Sequence, residues 1–175
     1  MLVFEILYIS VIRMENSKKI IDALNDANIA YEHHTHAPLH NVLDRKPLGL
    51  DYGGYTCKNL LITTRNEARF LLCMLPADKE ADLKAMRDEF HTARLCFASD
   101  EALLRLLDQV KGSVGVLSAI NDSDNRVEIV LDSVLKDAAR IAMHPGVITE
   151  TVVMSGSELE RFVLGLGKSL HYFDF

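Results

Sequence analysis

Gly53-Gly54-Tyr55-Thr56-Cys57-Lys58-Asn59-Leu60-Leu61-Ile62-Thr63 is the stretch whose reading decides the fold. A glycine pair ends a turn, and a β-rich apolar run follows it. Lys58 lies inside that run, among apolar residues. Burying an ammonium without a partner is costly, so a lysine here has two readings. It is an edge lysine that discourages sheet-to-sheet pairing, or a cation held at the floor of a cleft for a ligand. The strand alone leaves both open.

Outward from this run, Arg65-Asn66-Glu67-Ala68 is a polar turn and Arg69 to Leu75 is a second apolar run. The two predict a hairpin that Pro76 ends. Upstream, Asn16 or Ser17 is read as the cap of a helix with Ile20, Ile21, Leu24 and Ala27 on one face. Ala30 to Thr35 reads as a short strand, and Asn41 to Arg45 as a short helix before Pro47. Downstream, Leu83, Met86 and Phe90 share helical spacing, and Arg94 to Phe97 is β-like. Ser99 caps a helix over Asp100 to Leu107, with Leu103, Leu104 and Leu107 inward. Arg126 to Leu131, Ile141 to His144 and Val147 to Met154 read as strands. Ser155 or Ser157 caps a last helix that Gly167 ends, and His171 to Phe175 adds a terminal strand. Hairpins with interspersed helices, without regular βαβ alternation, predict one α+β domain. Its sheet is expected to be mixed and partly closed, barrel-like, with helices around it.

The 175 residues suffice for one sizeable core, and 49% apolar content excludes a disordered chain. A net charge of −6 excludes a general nucleic-acid coat, although a local basic rim can still hold a short nucleic-acid end. Arg45, Lys46, Arg65, Lys111 and Arg140 are candidates for such a rim. Cys57, Cys73 and Cys96 are odd in number and far apart, which fits a reducing cytoplasm better than a disulfide framework. Residues 1–13 are apolar and β-branched, too short to span a bilayer and interrupted by Glu5. They read as an extension packed as an extra strand, or as an upstream start, with the domain proper at residues 14–175. No membrane partner is expected.

Three constellations carry polar chemistry. His33, His34, His36 and His40 crowd one segment, but no further ligand type lies near them, so they read as surface imidazoles rather than a metal site. Gly112-Ser113-Val114-Gly115 lacks the ending of a phosphate-binding loop. It is a plain helix-entry turn, or a run of backbone N–H groups aimed at a carbonyl or carboxylate. Ser113 has no base beside it in sequence and is not read as a nucleophile. His144-Pro145-Gly146 is a strand-entry turn, or a polar group at the mouth of a cleft.

Thr56-Cys57-Lys58-Asn59-Leu60-Leu61, Gly112-Ser113-Val114, Ile120-Asn121-Asp122, Val130-Leu131-Asp132 and His144-Pro145, taken in this order, resemble the YbaK/ProX family of aminoacyl-tRNA editing deacylases. The resemblance runs from about Glu15 to the end of the chain. It is closest to the ProX branch, which clears alanine mischarged onto proline tRNA and is related to the editing insertion of prolyl-tRNA synthetase. It implies a barrel-like mixed sheet and ester hydrolysis at the acceptor end of tRNA(Pro). It implies no metal or organic cofactor, and a possible partner in prolyl-tRNA synthetase. The family's critical lysine falls on Lys58, with Asn59 beside it as a second catalytic residue. Gly112, Ser113, Val114 and His144 fall on substrate-binding positions. Two positions depart from the pattern: Val116 stands where the glycine loop carries proline, and Ile148 where asparagine is common. The alternatives within this reading are a Cys-tRNA(Pro) deacylase and a non-catalytic module that binds an aminoacyl-tRNA or amino acid.

Overall fold

The computed structural model describes residues 2–39 and 49–175, with side chains from residue 14 onward. The predicted helix over 41–45, His40, Arg45 and Lys46 lie outside the described residues. The chain runs α1 (Leu2–Asp26), β1 (Glu32–Thr35), β2 (Tyr55–Thr64), β3 (Phe70–Pro76), α2 (Leu83–Glu89), β4 (Leu95–Phe97) and α3 (Asp100–Leu107). A 3-10 helix over Val116–Asn121 follows, then β5 (Val127–Asp132), β6 (Ile141–Met143), β7 (Glu150–Met154), α4 (Gly156–Gly165) and β8 (Leu170–Phe173).

The strands form one sheet in the order β1-β7-β6-β2-β3-β5-β8, with β4 added to β2 beside this path. Pairing is mixed, as expected. β2–β3, β2–β4, β6–β7 and β1–β7 are antiparallel, whereas β2–β6, β3–β5 and β5–β8 are parallel. The sheet is not closed among the described residues, since β1 and β8 end it. β2 is therefore an interior strand of the sheet.

Both faces of the sheet are covered. Ile20 and Leu24 of α1, Leu103, Leu106 and Leu107 of α3, and Leu159, Phe162 and Val163 of α4 pack on one face, against Cys57, Leu61, Leu72 and Met74. Met86 of α2 and Leu95 of β4 pack on the other, against Ile62, Leu71, Cys73 and Val130. A strand buried on both sides reads as a continuous apolar run, and every residue of β3 is buried. Each large side chain so buried contributes about 1.5–3 kcal/mol. Burial pushes the Cys73 thiol far above its usual range, so it is inert.

Three expectations need correction. Residues 2–13 are not an extra strand; they continue α1, and the proposed boundary at Arg13 falls inside one helix. Their β-branched content is a weak preference that the helical context overrides. Asn16 and Ser17 are buried within α1 rather than capping it. Asn16 accepts a bond from Asn121 Nδ2 at 2.9 Å, and the Ser17 hydroxyl donates to Glu150 at 2.8 Å. Short polar side chains that cap helices serve equally well as long-range partners. In α3 the inward residues are Ala102, Leu103, Leu106 and Leu107, while Leu104 is exposed. A 100° step per residue turns Leu104 away once Leu103 and Leu107 face in. Ser99 and Ser155 are the helix caps, accepting from Ala102 and Glu158 N–H.

A buried ion pair ties the start of β5 to the α4–β8 connection. Lys168 donates to the Asp122 carboxylate and carbonyl, each at 2.6 Å, and Asp122 also accepts from Arg126 N–H at 3.0 Å and Val127 N–H at 2.8 Å. The two side chains are 3% and 1% exposed. Truncating one partner strands a buried charge, so Lys168→Ala should lower stability by about 3–5 kcal/mol. Urea unfolding at neutral pH checks this; a loss below about 1 kcal/mol would contradict it.

Candidate functional site

β2 owes its role to a change of partner along one edge. That edge pairs with β6 at Tyr55 and Thr56, and with β4 from Ile62 to Thr64. Residues 57–61 have no strand partner there among the described residues. Tyr55 N–H bonds Arg140 O on this edge at 3.0 Å, and Leu61 O accepts from Ala98 N–H at 2.9 Å. Main-chain groups alternate sides along a strand, so those of Asn59 face the same gap.

A cavity of about 780 Å³ opens at this gap. Lys58, Asn59, Gly112, Val114 and His144 all line it, together with His36, Cys57, Leu61, Phe97, Leu103, Lys111, Met143, Ile148, Glu150 and Thr151. Five of the six predicted site residues thus meet around one hollow. Ser113 does not line it. Its N–H and hydroxyl both bond Val110 O at 3.0 Å, and it is buried. It shapes the loop and offers no hydroxyl to the cavity.

Each lining residue is held by a short chain of causes. Gly53 and Gly54 have φ of +65° and +86°, and a Cβ on Gly54 would meet Arg140 O at 2.3 Å. Only glycine lets the turn approach β6 so closely. Arg140 Nε bonds Tyr52 O at 2.7 Å, and its guanidinium grips Glu32 in a two-pronged pair. The arginine, and His34 beside it, hold the Glu32 carboxyl down at about 2.

Lys58 is half-buried, and its Nζ donates to Ala77 O at 3.3 Å. Among the described residues it has no carboxylate partner. Asn59 turns to the opposite face, where its Oδ1 accepts from Val116 N–H at 3.2 Å. Val116 begins the 3-10 helix, whose own preceding residue, Gly115, supplies no side-chain cap. Asn59 therefore caps that helix from across the cavity and ties the 112–116 loop to β2. Proline at 116 would have no N–H to give.

His144 donates Nε2–H to Val114 O at 3.1 Å and accepts at Nδ1 from Gly146 N–H at 3.3 Å. These partners assign the neutral Nε2–H form. The ring packs so closely on the loop that a Cβ on Gly115 would meet its Cε1 at 2.9 Å.

The remaining polar residues sort into cavity and scaffold. His36 bonds the Thr151 hydroxyl at 2.9 Å and lines the cavity, whereas His33 pairs with Glu150 and His34 with Glu32. The described histidines thus form no single cluster. No group of three or more His, Cys, Asp or Glu side chains among the described residues is placed to hold a metal. Asn121, Asp122 and Asp132 are structural: Asn121 bonds Leu107 O, and Asp132 takes the ammonium of Lys79. Of the expected rim cations, Lys111 lines the cavity, Arg140 is committed to Glu32, and Arg65 lies in the β2–β3 turn. Sequence reasoning missed Phe97, Glu150 and Thr151. A carboxylate opening the apolar β7 was the available signal for Glu150.

These elements define an aminoacyl-tRNA editing domain. The family model of that description matches residues 46–162, and the chain belongs to the family. It is an aminoacyl-tRNA deacylase that acts on charged tRNA. It is 28% identical over 156 residues to the prolyl-tRNA editing protein ProX of Acetoanaerobium sticklandii, covering 89% of this chain and 95% of that protein. A crystal structure described as a candidate trans-editing enzyme for prolyl tRNA synthetase superposes with a TM-score of 0.69 at 13% identity, covering 91% of this chain and 97% of that one. The hypothetical protein APE2540 superposes at 0.70 with 15% identity, covering 88% and 97%. At such identities the two structures share the fold. Among the described residues no helix is long and apolar enough to cross a membrane.

Gly115→Ala should push His144 off the Val114 carbonyl while leaving the core intact. The imidazole N–H signal in a proton–nitrogen spectrum should shift, and deacylation should fall about 10- to 100-fold, the usual cost of a small misplacement. An unchanged imidazole signal would contradict the packing described.

Proposed function

We propose that this protein is a trans-editing hydrolase that deacylates mischarged tRNA(Pro), with Ala-tRNA(Pro) as its substrate. The observation that carries the reading is Lys58. It is an ammonium without a carboxylate partner among the described residues, and it lines the same hollow as Gly112, Val114 and His144. Such a cation is available to an anion brought by a ligand.

The ester is already activated, so the protein must position it and stabilise the oxyanion. Lys58 takes the negative charge of the terminal phosphate or of the oxyanion as it forms. Main-chain N–H groups of the 112–114 loop are offered to the ester carbonyl. Ser113 N–H is spent on Val110, which leaves those of Gly112 and Val114 for that role. Water adds to the carbonyl carbon, its proton passing to the neighbouring ribose hydroxyl acting as internal base. The ester C–O bond then breaks, the leaving ribose oxygen takes the proton, and the free amino acid departs. Asn59 acts as a positioning residue through Val116 N–H, and His144 fixes the wall at Val114.

Selectivity follows from the size of the inner pocket. A synthetase discriminates a missing methylene by only about 1–3 kcal/mol, so a second, smaller pocket must reject the correct amino acid. Cys57, Leu61, Leu103, Met143 and Ile148 supply apolar walls for that purpose.

Rates of Ala-, Cys- and Pro-tRNA(Pro) hydrolysis test the substrate. Alanine release far above the other two supports the proposal, and cysteine release far above alanine release overturns it. Lys58→Ala should reduce alanine release by at least about 100-fold with unfolding unchanged. A folded variant with wild-type rates would remove the lysine from the mechanism.

A further inference from the structure

The cavity mouth carries one side chain that the reading above leaves unused. Phe97 ends β4 and is 61% exposed. The other phenylalanines from residue 14 onward are buried or half-buried. Phe97 also lines the cavity, as do Ala98, Leu60, Lys58 and Lys111.

The sheet register explains its direction. Phe97 stands opposite Ile62, and directly opposed residues share a face. Lys58, Leu60 and Ile62 alternate onto that same face of β2. The aromatic ring and the ammonium therefore leave the sheet on one side. Lys58 and Ile62 lie about 13 Å apart along the strand, and the lysine stem spans several ångströms of that. The interior apolar walls, Leu61, Leu103 and Met143, belong to the other face and suffice for an amino-acid side chain. A cation and a bare aromatic face on one wall instead match the two halves of an unpaired nucleotide, its phosphate and its base.

We propose that Phe97 is the stacking platform for an unpaired base at the 3′ end of the RNA whose ester enters the cavity. This rests on the editing reading for its ligand. Stacking uses the flat face of the base and therefore holds the acceptor end without reading the tRNA's identity. It also supplies binding that a chain of net charge −6 cannot draw from phosphates alone.

The chain contains no tryptophan, so Phe97→Trp installs a single indole at the mouth. Titration of this variant with the trinucleotide CCA should give saturable fluorescence quenching. Leu104→Trp, exposed on α3 and outside the cavity lining, should not respond. In deacylation, Phe97→Ala should raise KM about 5- to 100-fold with kcat nearly unchanged, and Phe97→Trp should restore it. An unresponsive indole, or wild-type KM in Phe97→Ala, overturns the stacking role while deacylation by the parent protein leaves the editing reading intact. Quenching in a protein that hydrolyses no aminoacyl-tRNA supports the platform and removes the editing reading alone.

Discussion

An interior strand that changes partner along one edge, from β6 to β4, is the constraint on which this structure depends. Unpaired main-chain groups are expensive to bury, so a gap in a sheet must be filled by chain, water or ligand. β2 meets β6 at its start and β4 at its end, and among the described residues no strand pairs with residues 57–61 on that edge. That opening sets the position of the cavity. It also explains how Lys58 and Asn59, on opposite faces of the strand, both line one hollow.

The surrounding polar network keeps the gap in shape. Gly54 lets the turn before β2 lie on Arg140, and Arg140 is held by Glu32 and Tyr52. Asn59 fixes the 112–116 loop, and His144 fixes it again from the other wall. Asn16, Asn121 and Asp122 anchor the far end of the 3-10 helix to α1, α3 and β5. These bonds join elements distant in sequence, so the cavity is specified by tertiary contacts rather than by any one loop.

Much of this was legible in the residues. The β2–β3 hairpin, the Ser99 cap and the terminal strand follow from local patterns that tertiary packing reinforces. Lys58 stood out because a lysine among apolar residues requires a reason, and the order of the glycine, histidine and lysine segments resembled an editing family. What sequence could not reveal was register. Phe97 reads as an ordinary strand residue until β4 is set against Ile62, and Asn59 reads as a ligand group until the loop brings Val116 to it. Asn16 and Ser17 misled for a related reason: a polar side chain near a helix start looks the same whether it caps that helix or reaches across the fold. Helical residues 2–13 show how far context outweighs β-branched composition.

The most direct measurement is a crystal structure with a stable analogue of the substrate, alanine joined by an amide to the 3′ carbon of adenosine. The account predicts density for the amide in the opening between β6 and β4, with its carbonyl facing the 112–114 loop. The Lys58 ammonium should lie on the nucleotide side. An analogue bound elsewhere, or bound with residues 57–61 shielded from it, would contradict the account.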